Sequence, residues 1–195
     1  MQRLLYTNYI MMKNHVFFSN CNLKCVFCQN YEISSEEYGE EISIQRLAEI
    51  FIELQEKNAN NINLVTATPY VYQIIEAIKL AKEKGLKIPI VYNSSGYESI
   101  ETLKLLDGYI DIYLPDFKYM DNNLAKRLSG AENYTEIVKE AIKEMYRQVG
   151  NPVLDENGIM KKGLIIRHLI LPNYIENSKK VISWISENIN KEVFI

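Results

Sequence analysis

The chain has 195 residues, 47% hydrophobic and 24% charged, with a formal net charge of −3 at pH 7. That balance excludes a disordered or fibrous chain and suits a single globular domain over 1–195. The slight acidic excess excludes a global basic field for nucleic acid or an anionic membrane, and no run approaches the ~18 apolar residues of a membrane span. Met1–Lys13 is too polar for a signal-peptide core, so a cytoplasmic location is expected.

In chain order, residues 14–18 read as a strand. Ser43 then stands where it can cap a helix over about 44–57, with Ile44, Leu47, Ala48, Phe51 and Leu54 on one face at helical spacing. A short strand, Ile62 to Thr66, follows. Thr68-Pro69 reads as N-cap and first turn of a helix ending at Gly85. Next come a strand from Ile88 to Tyr92 and a short helix near 98–106. The strand from Tyr109 to Leu114 precedes Asn133 and Glu136, whose spacing is that of a capping box for a helix to about Val149. Asn157-Gly158 marks a tight turn, and Leu164 to Leu171 reads as a long apolar strand interrupted by Arg167 and His168. A helix over 178–189 and the strand-type residues Val193, Phe194 and Ile195 close the chain.

Strands alternating with helices imply parallel strands joined by right-handed crossovers. Five full strands and a short sixth predict an α/β fold built as a partial (βα)6 TIM-like barrel. A doubly wound open sheet is the alternative. The strand-type ending fits either a short last strand or a sixth strand continued elsewhere.

The chemistry concentrates in one loop. The three cysteines all lie in Cys21-Asn22-Leu23-Lys24-Cys25-Val26-Phe27-Cys28, a C-x3-C-x2-C string. Three cysteines scattered at random would take that spacing about 1.5 times in ten thousand, and an odd number excludes a closed disulfide framework. Zinc sites want four protein ligands, and the two histidines, His15 and His168, form no H-x3-5-H pair. A Cys3His zinc site using one of them, and buried structural cysteines, are the competing readings. Three thiolates on a cubane cluster leave one iron open to a small-molecule ligand, since ferredoxin-type clusters take four.

With an aromatic, Phe27, just before the third cysteine, the string resembles the signature of radical S-adenosylmethionine enzymes. The longer run Phe17 to Ser34 resembles the narrower pyruvate formate-lyase-activating group, as do Val91 to Tyr97, Asp111 to Tyr119 and Arg167-His168-Leu169. The resemblance implies a radical SAM type barrel. It also implies a 4Fe-4S cluster on Cys21, Cys25 and Cys28, with S-adenosyl-L-methionine chelating the open iron. One-electron reduction, from a donor such as flavodoxin or ferredoxin, would cleave the sulfonium to methionine and a 5′-deoxyadenosyl radical. In an activating enzyme that radical takes a hydrogen from a glycine Cα of a glycyl radical enzyme partner.

Ligands in such folds sit at the C-terminal ends of the strands. Polar residues gather there: Thr66 and Thr68 after the second strand, Asn93, Ser94 and Ser95 after the third, Asp116 and Lys118 after the fourth, Arg167 and His168 within the fifth. Lys118 or Arg167 can neutralise a carboxylate and Asp116 can meet a cation. By resemblance, Asp116 and Lys118 contact S-adenosylmethionine and Phe27 lies against adenine. The blander readings are a structural Asp116–Lys118 ion pair, Thr68 as a helix cap alone, and His168 as a satisfied core histidine. Strand alternation sends Arg167 and His168 to opposite faces, and Arg167 is the better candidate for the barrel interior.

Three features depart from the family pattern. Val65-Thr66-Ala67-Thr68 stands where many relatives carry Gly-Gly-Glu, Asn93 where some carry an acid, and Asn20 where Gly is usual. Without further cysteines there is no all-cysteine auxiliary cluster. Two alternatives to an activase remain: a radical S-adenosylmethionine enzyme with another substrate, and a non-catalytic cluster or zinc protein.

Overall fold

The computed structural model describes residues 5–7, 14–36 and 38–195. Most of the stretch weighed as a signal peptide, residues 1–4 and 8–13, lies outside the described residues. The elements are β1 (Leu5–Thr7), β2 (His15–Phe18), α1 (Tyr31–Ser35), β3 (Glu40–Glu41), α2 (Ile44–Glu56), β4 (Ile62–Val65), and a 3-10 turn (Thr68–Tyr70) that runs into α3 (Val71–Glu83). They continue with β5 (Ile90–Ser94), α4 (Ile100–Leu105), β6 (Ile112–Pro115), α5 (Asn122–Ser129), α6 (Tyr134–Val149), β7 (Val153–Leu154), β8 (Met160–Leu164) and α7 (Ile175–Asn188).

The sheet order is β3-β1-β2-β4-β5-β6-β8-β7. Its centre, β2-β4-β5-β6-β8, is wholly parallel, and each strand lies beside the next parallel strand in the sequence. A doubly wound sheet reverses its order at a switch point. Here there is no reversal among the five parallel strands, so their order is that of a barrel wall. A parallel bridge from Ile165 to Phe194 adds the start of a sixth position.

Alternation assigns the two faces of this wall. Val16, Phe18, Ile62, Leu64, Tyr92, Tyr113 and Leu164 are buried in one core with Leu47 and Phe51 of α2, Ile74 and Ile78 of α3, and Ile142 and Met145 of α6. The residues between them, among them Phe17 and Asn93, face the other way, into the barrel. Burying one such Leu, Ile or Phe side chain is worth about 1.5–3 kcal/mol, which is what holds short helices such as α2 against the sheet.

Several local expectations need correction. Ser43 does cap α2, accepting the Arg46 N–H at 3.0 Å. Thr68 does not cap α3: it opens the 3-10 turn after Ala67, and its hydroxyl is drawn to Glu98 instead. Asn133 forms no capping box, because at φ 52° its side chain makes no cap bond. Asn122 supplies the acceptor for the Thr135 N–H. The fifth strand begins earlier, at Met160, and continues only as single bridges to Arg167. Leu169 and Ile170, read as strand core, are exposed. Helix α5 is an element beyond those read from the sequence: Asp121 caps it through the Asn123 and Leu124 N–H groups and Gly130 closes it in the left-handed conformation.

Candidate functional site

The cysteine loop leaves the C-terminal end of β2 and is tied down on two sides. Towards α1, Asn20 N–H donates to the Ile33 carbonyl and Cys21 N–H to that of Ser34. Towards α5, Lys24 N–H donates to the Ser129 carbonyl and Val26 N–H to that of Leu128, each at 2.9 Å. The last carbonyls of a helix have no partners within it. The loop supplies two, so the end of α5 becomes its footing. Asn22 adds a third tie, donating to the Tyr97 carbonyl at 2.5 Å and accepting the Ser95 hydroxyl at 3.0 Å.

The three thiols are free and partly exposed. Leu23 N–H donates to Cys21 Sγ at 3.4 Å, the Ser129 hydroxyl to Cys25 Sγ at 2.9 Å, and Cys28 Sγ lies 3.3 Å from Ser34 Oγ. Burial pushes the Cys21 and Cys25 thiols up. At Cys21 the Leu23 N–H, and at Cys25 the Ser129 hydroxyl, pull against it, and the Lys118 ammonium does so at both. Burial therefore prevails and favours the thiol at both, while the Leu23 N–H and the Ser129 hydroxyl are donors that a metal-bound thiolate would keep.

Among the described residues no three of His, Cys, Asp and Glu are gathered around a point where one metal ion could be held. Four thiolates on one zinc would stand about 3.8 Å apart, from a Zn–S distance of about 2.3 Å. A cubane instead places each cysteine on its own iron, and three separate thiols in one loop fit that arrangement. Neither histidine completes a Cys3His set. His15 begins β2, at the far end of the strand from the loop, and its Nε2 lies 3.0 Å from Asn63 Nδ2. His168 has both ring nitrogens engaged, Nδ1 with the Phe117 carbonyl at 2.6 Å and Nε2 with Ser178 at 2.8 Å.

Beside the loop lies a charged cluster. The carboxylate of Asp116, at the end of β6, receives Lys118 Nζ on one oxygen and Arg167 Nε on the other, and Arg167 Nη2 also reaches Asn93 Oδ1 at 3.2 Å. Burial alone would raise the Asp116 carboxyl, but Lys118 and Arg167 outweigh it and hold it below its ordinary value. Asp116 therefore meets cations of its own chain. One carboxylate between two cations leaves one positive charge unbalanced, which suits an incoming carboxylate.

The remaining sequence candidates divide between the two faces. Asn93 belongs to the barrel interior. Ser94, next along β5, is buried on the opposite side, where its Oγ accepts the Gly96 N–H at 3.2 Å. There it meets a polar knot that sequence reasoning missed. Buried Glu98 receives Thr68 Oγ1 at 2.7 Å and Tyr92 OH at 3.4 Å, and burial raises its carboxyl to about 7 against the pull of Thr68, Ser94 and Tyr92. Thr68 and Ser94 are thus committed to Glu98. Thr66 follows β4 at φ 62°, its N–H on the Asn93 carbonyl at 3.0 Å, and Phe27 packs half-buried against the core. Glu98 had no motif to mark it, and Ser129 is 104 residues from the cysteine it touches.

A parallel barrel wall with three free thiols in the loop after its first parallel strand defines the class: a barrel-type α/β domain with a cysteine loop at the C-terminal ends of its strands. The chain belongs to the Radical SAM superfamily, matching it over residues 15–162, and the cofactors of that superfamily are a 4Fe-4S cluster and S-adenosylmethionine. It is 32% identical to an uncharacterized protein, MJ0674, of Methanocaldococcus jannaschii over 94% of this chain and 52% of that protein. It is 21% identical to the pyruvate formate-lyase-activating enzyme of Clostridium pasteurianum over 85% of this chain and 65% of that enzyme. The chain therefore spans about half to two thirds of the length of these relatives. Among solved structures, Streptococcus suis SuiB bound to S-adenosylmethionine superposes with a TM-score of 0.59 at 15% identity, covering 89% of this chain and 35% of SuiB. Native anSMEcpe with bound AdoMet gives 0.61 at 15% identity, covering 87% and 46%. Both likenesses are of fold.

Proposed function

We propose that Cys21, Cys25 and Cys28 hold the superfamily's cluster and that Lys118, Arg167, Asn93 and Asp116 hold S-adenosylmethionine beside it. The observation that carries this reading is the adjacency of three free thiols to a carboxylate–dication group with one positive charge to spare. When bound and reduced, the cluster supplies the electron that splits S-adenosylmethionine into methionine and a 5′-deoxyadenosyl radical. The chain's own part is to grip the methionine carboxylate through Lys118 and Arg167, to lay Phe27 against the adenine, and to hold the loop rigid between α1 and α5. Thr66 and the carbonyls around it stand where an acid would grip the amino group in many relatives.

The finer reading is an activating enzyme that makes a glycyl radical on a pyruvate formate-lyase-like partner, with flavodoxin or ferredoxin as electron donor. Two facts support it. One is the 21% identity to an activating enzyme. The other is the group of large exposed side chains on or next to the elements that bear the site: Val26 in the loop, Tyr31 at the start of α1 and Tyr72 at the start of α3. Exposed tyrosines of this kind are favoured anchors for protein partners. A cytoplasmic location agrees with this reading, and no described helix is long and apolar enough to cross a membrane.

The test is anaerobic reconstitution with iron and sulfide, reduction by dithionite, and assay of 5′-deoxyadenosine. Product dependent on all three cysteines supports the radical reading, and an intact cluster in Cys25→Ala overturns the three-thiolate site. Addition of a pyruvate formate-lyase followed by electron paramagnetic resonance tests the partner. Deoxyadenosine without a glycyl-radical doublet moves the activity to another substrate.

A further inference from the structure

Ser129 is the last residue of α5 and is 1% exposed. Its hydroxyl donates to Cys25 Sγ at 2.9 Å, and its Oγ lies 2.6 Å from the hydroxyl of Tyr119, which is fully buried. Its carbonyl takes the Lys24 N–H, one residue before Cys25. The serine therefore grips the cysteine loop twice, once through the backbone and once through the sulfur.

Proton counting fixes the direction of these bonds once Cys25 is a metal-bound thiolate. A thiolate has no proton and only accepts. Ser129 has one hydroxyl proton, which must go to the sulfur. The 2.6 Å contact with Tyr119 is then made with the tyrosine's proton, and the chain runs Tyr119 O–H to Ser129 Oγ, Ser129 O–H to Cys25 Sγ. Hydrogen bonds in series polarise one another, more so where water is excluded, so the tyrosine strengthens the bond on the sulfur. Behind it, the Tyr119 ring meets that of Tyr134 edge-on at 5.3 Å, and the Tyr134 hydroxyl donates to the Asp116 carbonyl at 3.1 Å. The relay is therefore anchored in the same wall that carries the charged cluster.

Donors to cluster sulfurs are among the features that set the potential of an iron–sulfur centre. A donor withdraws electron density from the sulfur and favours the state with the extra electron. We propose that Ser129, oriented by Tyr119, is a positioning residue that raises the reduction potential of the cluster held by Cys25. The proposal rests on the cysteine reading above. The step it affects is the gain of one electron by the cluster, from an external one-electron reductant, with no proton transferred and no bond made or broken.

The test is a redox titration of the reconstituted protein with dithionite, followed by the electron paramagnetic resonance signal of the reduced cluster, in wild type, Ser129→Ala, Ser129→Thr and Tyr119→Phe. At equal iron content per chain, Ser129→Ala should shift the midpoint to more negative potential. Tyr119→Phe should shift it less, in the same direction, and Ser129→Thr, which keeps the hydroxyl, should restore it. Tyr119→Phe keeps the ring, so it reads the relay even where Ser129→Ala disturbs the loop. Equal midpoints in all four proteins would overturn the proposal and leave the cysteine reading standing. A wild-type chain that takes up no four-iron cluster would overturn both.

Discussion

Asp116 and Arg167 meet twice: their backbones pair as an isolated parallel bridge between the ends of two strands, and the guanidinium of Arg167 lies on the carboxylate of Asp116. The backbone contact places the two side chains on the same, inward face of the barrel. Lys118, two residues on, closes the other carboxylate oxygen. The charge arrangement beside the cysteine loop thus follows from strand register.

Lys118 should matter more to ligand than to fold. Its ammonium is paired with an anion that Arg167 also neutralises, so Lys118→Ala leaves Asp116 with a partner. A charge-assisted bond to a carboxylate is worth about 1.5–3 kcal/mol. Lys118→Ala is therefore expected to retain the cluster while weakening S-adenosylmethionine binding by about 10- to 100-fold, measured by calorimetry. Unchanged affinity would make the pair purely structural.

Gly96 guards the position of Asp116. It adopts φ 74°, and a Cβ there would stand 2.2 Å from the Asp116 carbonyl oxygen. An alanine must push two strand-end loops apart as well as hold a left-handed backbone. Gly96→Ala is expected to destabilise the chain by about 2 kcal/mol or more in urea unfolding. A loss below about 0.5 kcal/mol would mean that the loop yields freely.

Thr66 carries the opposite prediction. A β-branched residue at φ 62° is strained by roughly 1–2 kcal/mol. Glycine relieves this at some cost in unfolded-state entropy. Thr66→Gly should leave stability unchanged or raise it by up to about 1 kcal/mol, equivalent to roughly 2–4 °C in Tm. A clear fall in Tm would show that the threonine side chain repays the strain through contacts of its own.

Glu98 predicts a pH dependence with a definite sign. Its carboxyl rises from the ordinary 4.5 to about 7 in the folded chain, because burial opposes ionisation more than the hydroxyls around it favour it. The folded state holds this proton more tightly than the unfolded state, so the contribution is complete below pH 4.5 and is lost as pH rises to 7. Above pH 8 the accumulated loss is about 3 kcal/mol. Glu98→Gln, neutral and nearly isosteric, should remove this term. Urea unfolding from pH 5 to 8 should show the variant gaining on the wild type as pH rises, and parallel curves would refute the assignment.

Much of this protein is legible without coordinates, and the reason is local. The thiols of Cys21, Cys25 and Cys28 are close in the chain, so their spacing alone points to metal ligation and carries the resemblance that implies a cluster, and Ser43 caps a helix through its immediate neighbours. Alternating apolar strands and amphipathic helices predict a parallel wall, because each such segment must bury one face. Local signals also misled where a distant partner was stronger. Thr68 gave its hydroxyl to Glu98 across two strand ends, and Asn122 of α5 displaced Asn133 from its capping role.

What only the tertiary structure decided is which strand-end residues share a face and what stands behind them. Arg167 and His168 are neighbours in sequence, yet one lies on Asp116 in the barrel interior and the other is satisfied by Phe117 and Ser178 outside it. Ser129 meets Cys25 only because two free carbonyls at the end of α5 take two N–H groups of the cysteine loop. The motif, a local pattern, determined the kind of chemistry. Strand register and helix ends, which join residues far apart in the chain, determined the charge and the hydrogen bonds that surround it.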